Sequence, residues 1–159
     1  MSVSSQNTAQ PKAEIPILNA TWRDLGALSR LEKQCFMRED AWPLIELMGV
    51  LTLPDTVRLK MEKDGGMIAF LGGDIRRREG VGWIITIAVA PTWRGKGLGT
   101  RLLAAGEKAL GLPRVRLTVR ASNQPAIQMY LKAGYRQVKI SPKYYAGGED
   151  GLVFEKVMT

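Results

Sequence analysis

The stretch VAPTWRGKGLGT, residues 89–100, decides how the chain folds and where its chemistry can occur. It follows the β-branched run GWIITIAVAP (residues 82–91), which predicts a strand buried on both faces. It precedes a helix whose apolar face repeats from Leu98 to Leu110 and which stops at the segment Gly111 to Pro113. A glycine-rich loop therefore joins a central strand to a helix.

Three glycines within five residues make this loop a candidate site for binding an anion. Gly95, Gly97 and Gly99 let the backbone approach a ligand closely, and the first helical turn aims free N–H groups at it. That geometry suits a pyrophosphate, and Arg94 and Lys96 add positive charge. The loop lacks the Gly-Lys-Ser/Thr of a Walker loop and the spacing of a dinucleotide fingerprint. On this evidence alone, a purely structural loop is an equal alternative.

Outward from the loop, the pattern predicts one mixed α/β domain over residues 14–159, after a disordered tail at 1–13. Helices are predicted at about 22–36, 42–51, 98–110 and 124–132. Strands are predicted at 14–19, 56–63, 67–71, 82–91, 115–120, 135–140 and 151–157, with a bulge or a close backbone approach at Gly72-Gly73. The order is β-α-α-β-β-β-α-β-α-β-β.

The composition excludes several classes of chemistry. The 159 residues include no histidine, which rules out Ser-His-Asp and Cys-His catalysis and most zinc sites, so no metal is predicted. A single cysteine, Cys35, excludes an intrachain disulfide and fits a reducing compartment. No apolar run is long enough to span a membrane, and the first residues do not resemble a signal peptide. We therefore expect a cytoplasmic protein with no membrane partner.

The net positive charge favours anionic partners but does not identify which one the protein binds. The formal net charge is +8, which suits a polyphosphate cofactor, acidic protein, ribosome or nucleic acid. The one basic run, Arg76 to Arg78, sits where a hairpin should turn and is too short to be diagnostic. A solvated loop is the favoured interpretation, and direct nucleic-acid binding is not expected.

Two motifs carry a resemblance to a known family. The pattern VAPxxRGxGxG from residue 89, followed by NxxAxxxYxxxGY over residues 123–135, resembles the GCN5-related N-acetyltransferase superfamily. The resemblance covers residues 15–158 in element order and is most specific over 87–135. The segments TVRASNQPAIQMYLKAGYRQV (118–138) and KYYAGGEDGLVFEKVM (143–158) are most similar to ribosomal-protein N-terminal acetyltransferases. Leu31-Glu32 and Cys35-Phe36 echo the first helix of that branch.

The resemblance implies a sheet with splayed central strands and acetyl-CoA as acyl donor. It implies that the backbone of one strand binds the pantetheine arm and the acetyl carbonyl, at Ile87, Ala88 and Val89. It assigns the pyrophosphate to the loop residues Arg94, Gly95, Lys96, Gly97, Leu98, Gly99 and Thr100. Asn123, which a helix N-terminus already explains, also contacts the pantetheine region in this family. Backbone N–H groups near Val89 would stabilise the oxyanion.

The resemblance also assigns a catalytic residue and an acceptor site. Helical spacing alone makes Tyr130 a core aromatic, whereas the family pattern makes it the acid that protonates the departing CoA thiolate. The expected acceptor-binding residues are Phe36, Trp42, Thr118, Tyr144 and Tyr145. For the two tyrosines, a role as exposed aromatics closing a hairpin is an equal alternative.

One departure from the family concerns the base. The ribosomal-protein branch tends to carry Glu where this chain has Thr118, and a threonine hydroxyl cannot act as a base. At pH 7.4 an α-amine is roughly 20% neutral, whereas a lysine is only about 0.1% neutral. Weak deprotonation therefore favours α-amine acceptors. If Glu39, Asp40, Glu149 or Asp150 reaches the site through water, it can serve as the base and this preference becomes smaller.

The leading interpretation is an enzyme that transfers acetyl from acetyl-CoA to a primary amine, a protein or peptide N-terminus, by direct attack in a ternary complex. Cys35 is poorly placed to form an acyl-enzyme. One alternative is an acetyltransferase for polyamines, amino acids or drugs, whose mark would be an acidic acceptor pocket. Another is a non-catalytic CoA-binding or ribosome-docking module. A homodimer is compatible with the sequence.

Overall fold

A seven-stranded mixed sheet runs through residues 14–159, the part of the chain that the computed structural model describes. The predicted tail at residues 1–13 lies outside this part. The helices are α1 (Leu25–Cys35), α2 (Leu44–Thr52), α3 (Leu98–Leu110) and α4 (Gln124–Lys132). The strands are β1 (Leu18–Asn19), β2 (Thr56–Lys63), β3 (Gly66–Arg76), β4 (Val81–Val89), β5 (Arg114–Arg120), β6 (Arg136–Ser141) and β7 (Gly151–Val157). The predicted fold class and element order are confirmed.

Helices cover both faces of the sheet. Its strand order is β1-β2-β3-β4-β5-β7-β6, in which β4 and β5 form the parallel pair. Leu71 of β3 packs in one apolar cluster with α3 and α4, while its neighbour Phe70 packs in a second cluster with α1 and α2. Because successive strand residues point to opposite faces, the two helix pairs lie on opposite sides.

The two central strands separate halfway along their length. β4 pairs with β5 only from Val81 opposite Arg114 to Ile84 opposite Leu117. Beyond Leu117, β5 keeps its pairing with β7 up to Arg120 opposite Gly151, whereas the rest of β4 follows β3. A wedge-shaped gap therefore opens between Ile85–Val89 and Thr118–Arg120, which confirms the predicted splay.

Two adjacent glycines in β3 lie opposite a bulge whose extra residue is Ile85 of β4, and they let helices approach the sheet from both sides. The register against β4 shifts between Gly72 and Gly73. A Cβ at Gly72 would lie 3.0 Å from Val50 of α2, and one at Gly73 would lie 3.2 Å from Leu110 of α3. Side chains at these positions would push both helices off the sheet.

Three predicted features were wrong in detail. The first strand, predicted at 14–19, is confined to Leu18–Asn19, because only these residues pair with β2 and Pro16 lacks an N–H to donate. The second helix begins at Leu44 instead of Trp42, after Pro43 at its N-cap. β4 is not buried on both faces, since Ile85 is 36% exposed where the strand leaves β5. No helix of the described residues is long and apolar enough to cross a membrane.

Candidate active site

The glycine-rich loop forms an open cradle at the start of α3. Gly95 and Gly97 have φ values of 77° and 79°, in the left-handed region that disfavours other residues. A Cβ at either glycine would meet no atom within 4 Å, so the space in front of the backbone is open. Gly97 is the N-cap and offers no side-chain cap, which leaves the first-turn amides of α3 free for a ligand. This geometry fits a pyrophosphate.

The other loop residues divide between structural and exposed roles. The Arg94 Nε donates to the Val89 carbonyl at 3.0 Å, and the Lys96 Nζ lies 5.4 Å from the centre of the Trp93 ring. The Leu98 side chain is buried in the core, so only its backbone can face a ligand, whereas Thr100 is exposed. The loop thus presents amides and two cations at one spot.

The free edge of β4 lies beside the loop. The Ala90 N–H donates to the Ile68 carbonyl of β3, and backbone groups alternate in direction along a strand, so Ala88 also faces β3. Ile87 and Val89 face the gap. The Val89 carbonyl already accepts from Arg94 Nε and, at 3.3 Å, from Cys35 Sγ. Of the three predicted residues, the Ile87 backbone and the Val89 N–H are therefore the groups free to bind.

Tyr130 is packed in the core, as helical spacing predicted, and its hydroxyl has no hydrogen-bond partner among the described residues. Its ring is 8% exposed and meets the Tyr135 ring edge to face, 5.9 Å between centroids. The one fully buried side-chain oxygen without a partner in residues 14–159 belongs to Glu32. The Tyr130 hydroxyl is therefore not completely closed off from solvent. Burial raises the pKa of Tyr130 to about 12, so the phenol stays protonated and can donate.

Asn123 caps the N-terminus of α4. Its Oδ1 accepts from the Ala126 N–H at 3.3 Å, and the residue is exposed. The structural role is thus filled, and the side-chain amide remains free to donate to a ligand.

A groove of about 560 Å³ opens at the splay between the α1–α2 loop and the β6–β7 segment. Four of the five predicted acceptor residues line it: Trp42, Thr118, Tyr144 and Tyr145. Phe36 does not, because it packs against the core beneath α1 and α2. Sequence reasoning missed other lining residues, including Trp83 and Ile85 of β4 and four charged side chains: Asp74, Arg76, Arg116 and Lys139.

Arg120 ties the two walls of the groove together. It forms ion pairs with Asp40 of the α1–α2 loop and, at 2.7 Å, with Glu149 of the β6–β7 segment. Its guanidinium lies over the Tyr145 ring, whose hydroxyl donates to the Thr118 carbonyl at 3.2 Å.

These contacts bear on the carboxylates that were considered as bases. Asp40 and Glu149 are held by Arg120, and hydrogen bonds from Ser122 and Arg120 lower the pKa of Glu149. Asp150 accepts from the Lys143 N–H at 3.0 Å, and Glu39 is exposed. Three of the four candidates are therefore already engaged. Nowhere in residues 14–159 do three metal-ligating side chains come together.

A fifth carboxyl group, Glu32, lies near the site and was not among the predicted bases. It is 1% exposed, and its Oε1 accepts from the Thr86 hydroxyl of β4 at 3.1 Å. The available signal was its place on the apolar face of the first helix, next to Leu31. Its partner lies 54 residues away, so the contact itself could not be foreseen.

A splayed sheet with a glycine-rich loop beside the free strand edge and a groove at the gap is the arrangement of a CoA-dependent acyltransferase. The family comparison agrees, because the model of the acetyltransferase (GNAT) family matches residues 19–135. The chain belongs to this family, as the sequence resemblance indicated.

Similar proteins extend over nearly the whole chain. An uncharacterised N-acetyltransferase of Methanocaldococcus jannaschii is 32% identical over 84% of this chain and 86% of its own length. The N-alpha-acetyltransferase RimI of Mycobacterium tuberculosis is 29% identical over 83% of this chain and 90% of its own. The ribosomal-protein-S18-alanine N-acetyltransferase of Escherichia coli shares the fold, with a TM-score of 0.81, 24% identity and coverage of 92% and 95%. The protein is an acetyl-CoA-dependent N-acetyltransferase.

Proposed function

We propose that this N-acetyltransferase modifies the α-amino group at the N-terminus of a protein or peptide, by direct attack within a ternary complex. The observation that carries the proposal is the charge of the acceptor groove. The one carboxylate in its lining, Asp74, is paired with Arg76, Arg116 is paired with Glu155, and Lys139 adds a further positive charge. A polyamine or a multiply charged cationic drug needs several unpaired carboxylates, which this lining does not offer, whereas a peptide N-terminus brings a single positive charge.

The shape and wall chemistry of the groove also suit a peptide. Trp42, Trp83 and Tyr144 offer flat aromatic surfaces along an opening that reaches solvent, so the residues after the first can extend out of the site. Aromatic side chains of this kind dominate protein and peptide contacts. The relatives support the same acceptor, since one carries the name N-alpha-acetyltransferase and another acts on a ribosomal protein.

Direct attack agrees with the state of the only cysteine. Cys35 Sγ donates to the Val89 carbonyl at 3.3 Å, and burial raises the pKa of the thiol. A protonated thiol is a poor nucleophile, so an acyl-enzyme at this position is disfavoured. The single free cysteine also supports our proposal that the protein works in the cytoplasm.

In this proposal, each side of the gap has a separate task. The loop from Arg94 to Thr100 holds the pyrophosphate of acetyl-CoA, and the free edge of β4 at Ile87 and Val89 aligns the donor. Trp42, Thr118, Tyr144 and Tyr145 hold the acceptor, and Tyr130 gives its proton to the leaving sulfur. The protein's main contribution is to fix amine and thioester in one geometry.

The basic run Arg76 to Arg78 has partners within the fold. Arg76 bonds Asp74 at 3.0 Å and lies over the Trp83 ring, and Arg77 bonds Asp55 at 3.1 Å. These pairs support a solvated, ion-paired turn and weigh against nucleic acid as a partner.

A thiol-release assay with three acceptors tests the proposal. The first is a peptide with a free α-amine, the second is the same peptide with that amine blocked and an internal lysine, and the third is spermidine. We expect kcat/KM to be at least tenfold higher for the first. Equal rates for the first two, or a preference for spermidine, would contradict the assignment and identify a side-chain or small-molecule amine as the acceptor.

A further inference from the structure

Glu32 is a buried carboxyl group that the fold leaves half satisfied. Among the described residues, the other buried carboxyl is Glu107, whose two oxygens accept from Tyr135 at 2.9 Å and Lys156 at 3.0 Å. Glu32 accepts from Thr86 through Oε1, but its Oε2 has no partner. Leaving such an oxygen buried and unpaired costs stability, so its presence calls for an explanation.

The position of Glu32 suggests what it does. Its partner Thr86 lies in β4 between Ile85, which lines the acceptor groove, and Ile87, whose backbone faces the gap. The backbone N–H of Trp42, another groove residue, also faces the carboxyl group. Glu32 therefore lies directly behind the line where the acceptor groove meets the free edge of β4.

The environment of Glu32 sets its proton affinity near neutrality. Burial raises its pKa to about 7, and the hydrogen bond from Thr86 and the nearby Trp42 N–H, which does not come within hydrogen-bonding geometry, oppose part of that rise. The titratable groups that face it are Cys35 on the next turn of α1 and, beyond the thiol, Arg94 of the glycine loop. The shared core cluster is otherwise apolar, with Leu47, Val50 and Leu51 from α2 and Phe70 from β3. A carboxyl group in this range matches the task of a general base at neutral pH.

We propose that Thr86 and Glu32 form a proton relay that deprotonates the acceptor amine. The acceptor ammonium gives one proton to the Thr86 Oγ1 as the Thr86 hydroxyl proton passes to Glu32 Oε1. The freed nitrogen lone pair forms the C–N bond, and the C–S bonding pair leaves with sulfur. Tyr130 gives its hydroxyl proton to the departing sulfur, and the second nitrogen proton then restores the Tyr130 hydroxyl. Glu32 later returns its proton to solvent. This relay rests on the proposed function only in needing an amine acceptor.

The relay resolves the absence of a base on the strands. Thr118 has no basic group, and Asp40 and Glu149 are held by Arg120. A base behind the strand needs an intermediate group to reach the gap, and Thr86 is proposed for this role because it donates to Glu32 and directly follows Ile85, which lines the groove. A threonine can accept one proton while giving another, so no charge has to rest on it.

The test compares pH profiles of kcat/KM for the full chain and five variants. We expect Glu32→Gln and Thr86→Val each to lower kcat about 10²-fold and to remove the bend near pH 7. Thr86→Ser, which keeps the hydroxyl, should keep both the wild-type kcat and the bend near pH 7. The double variant Glu32→Gln/Thr86→Val should lose no more activity than either single variant, because the two residues act as one unit. Glu107→Gln is the matched control for loss of a buried carboxyl and should keep the bend.

An independent measurement keeps the result separate from the choice of acceptor. Infrared titration should show a protonated carboxyl band that disappears with a midpoint near pH 7 in the wild type and in Glu107→Gln, but is absent in Glu32→Gln. The profiles are run with the free-amine peptide and with spermidine, and the better acceptor is used. Wild-type kcat with an unchanged bend in Glu32→Gln, or no titration near neutrality, would overturn the relay whichever amine is preferred.

Discussion

The Arg120 guanidinium carbon lies 4.6 Å from the centre of the Tyr145 ring. The same guanidinium pairs with Asp40 across the groove and with Glu149 beside Tyr145. One side chain therefore sets the distance between the two walls that are proposed to grip the acceptor.

Arg120→Ala should loosen the acceptor site and leave the donor site intact. With the guanidinium gone, Asp40 and Glu149 face each other without a cation, and the α1–α2 loop loses its tie to Tyr145. We expect the KM for a peptide acceptor to rise about tenfold while the Kd for acetyl-CoA stays within twofold, since an ion-paired, partly buried arginine contributes on the order of 1 to 3 kcal/mol. Arg114→Ala, at the opposite end of β5, is the control. Equal effects of the two variants would contradict the role of Arg120.

Gly97→Val should abolish acetyl-CoA binding. Gly97 has a φ of 79° at the N-cap of α3, and a branched side chain there would fill the open space in front of the first-turn amides. Acetyl-CoA at a hundred times its Kd should stabilise the wild type by about 2.7 kcal/mol and raise its Tm. The variant should show no such rise.

Gly65→Val separates this effect from backbone strain. Gly65 has a φ of 76° in the exposed turn between β2 and β3, also with no atom near a Cβ. It carries the same conformational cost as Gly97→Val but lies away from the loop. We expect a lower Tm that still rises normally with acetyl-CoA. A full ligand-induced rise in Gly97→Val would remove the loop from the donor site.

Tyr130→Phe should slow turnover without weakening the fold. The Tyr130 hydroxyl has no hydrogen-bond partner among the described residues, so its removal breaks no bond, while the ring stays packed against Tyr135. We expect kcat to fall about 10²-fold, with acetyl-CoA binding and Tm close to the wild type. Tyr135→Phe gives the opposite pattern, because that hydroxyl donates to Glu107 at 2.9 Å. A wild-type kcat in Tyr130→Phe would leave Tyr130 as a core aromatic alone.

Local patterns predicted the framework of the donor site well. The order of elements, the bulge or close approach at Gly72-Gly73 and the loop from Arg94 to Thr100 follow from short-range glycine and apolar spacing, and the structure has all three. The acceptor side depends on contacts between distant segments. Arg120 meets Asp40 across 80 residues, and Glu32 meets Thr86 across 54. A single sequence does not encode such pairs as a period or a motif.

The exposure of one residue shows the same limit. The run from Trp83 to Val89 is apolar throughout and predicts burial on both faces, yet Ile85 is exposed. The cause is the loss of pairing between β4 and β5 after Ile84. An apolar run therefore does not distinguish a residue of the core from a residue, such as Ile85, that lines a groove.

The burial of Glu32 predicts how stability changes with pH. Its folded pKa of about 7 lies above the ordinary value of 4.5. Below pH 4.5 Glu32 is protonated in both the folded and the unfolded chain, so its titration does not change the free energy of unfolding. Between 4.5 and 7 the unfolded chain releases this proton first, so the free energy of unfolding falls, by about 3 kcal/mol in total. Urea unfolding at pH 5, 6, 7 and 8 should therefore show Glu32→Gln gaining stability relative to the wild type as pH rises. Parallel curves for Glu32→Gln and the wild type would show that Glu32 is ionised in the folded protein throughout this range.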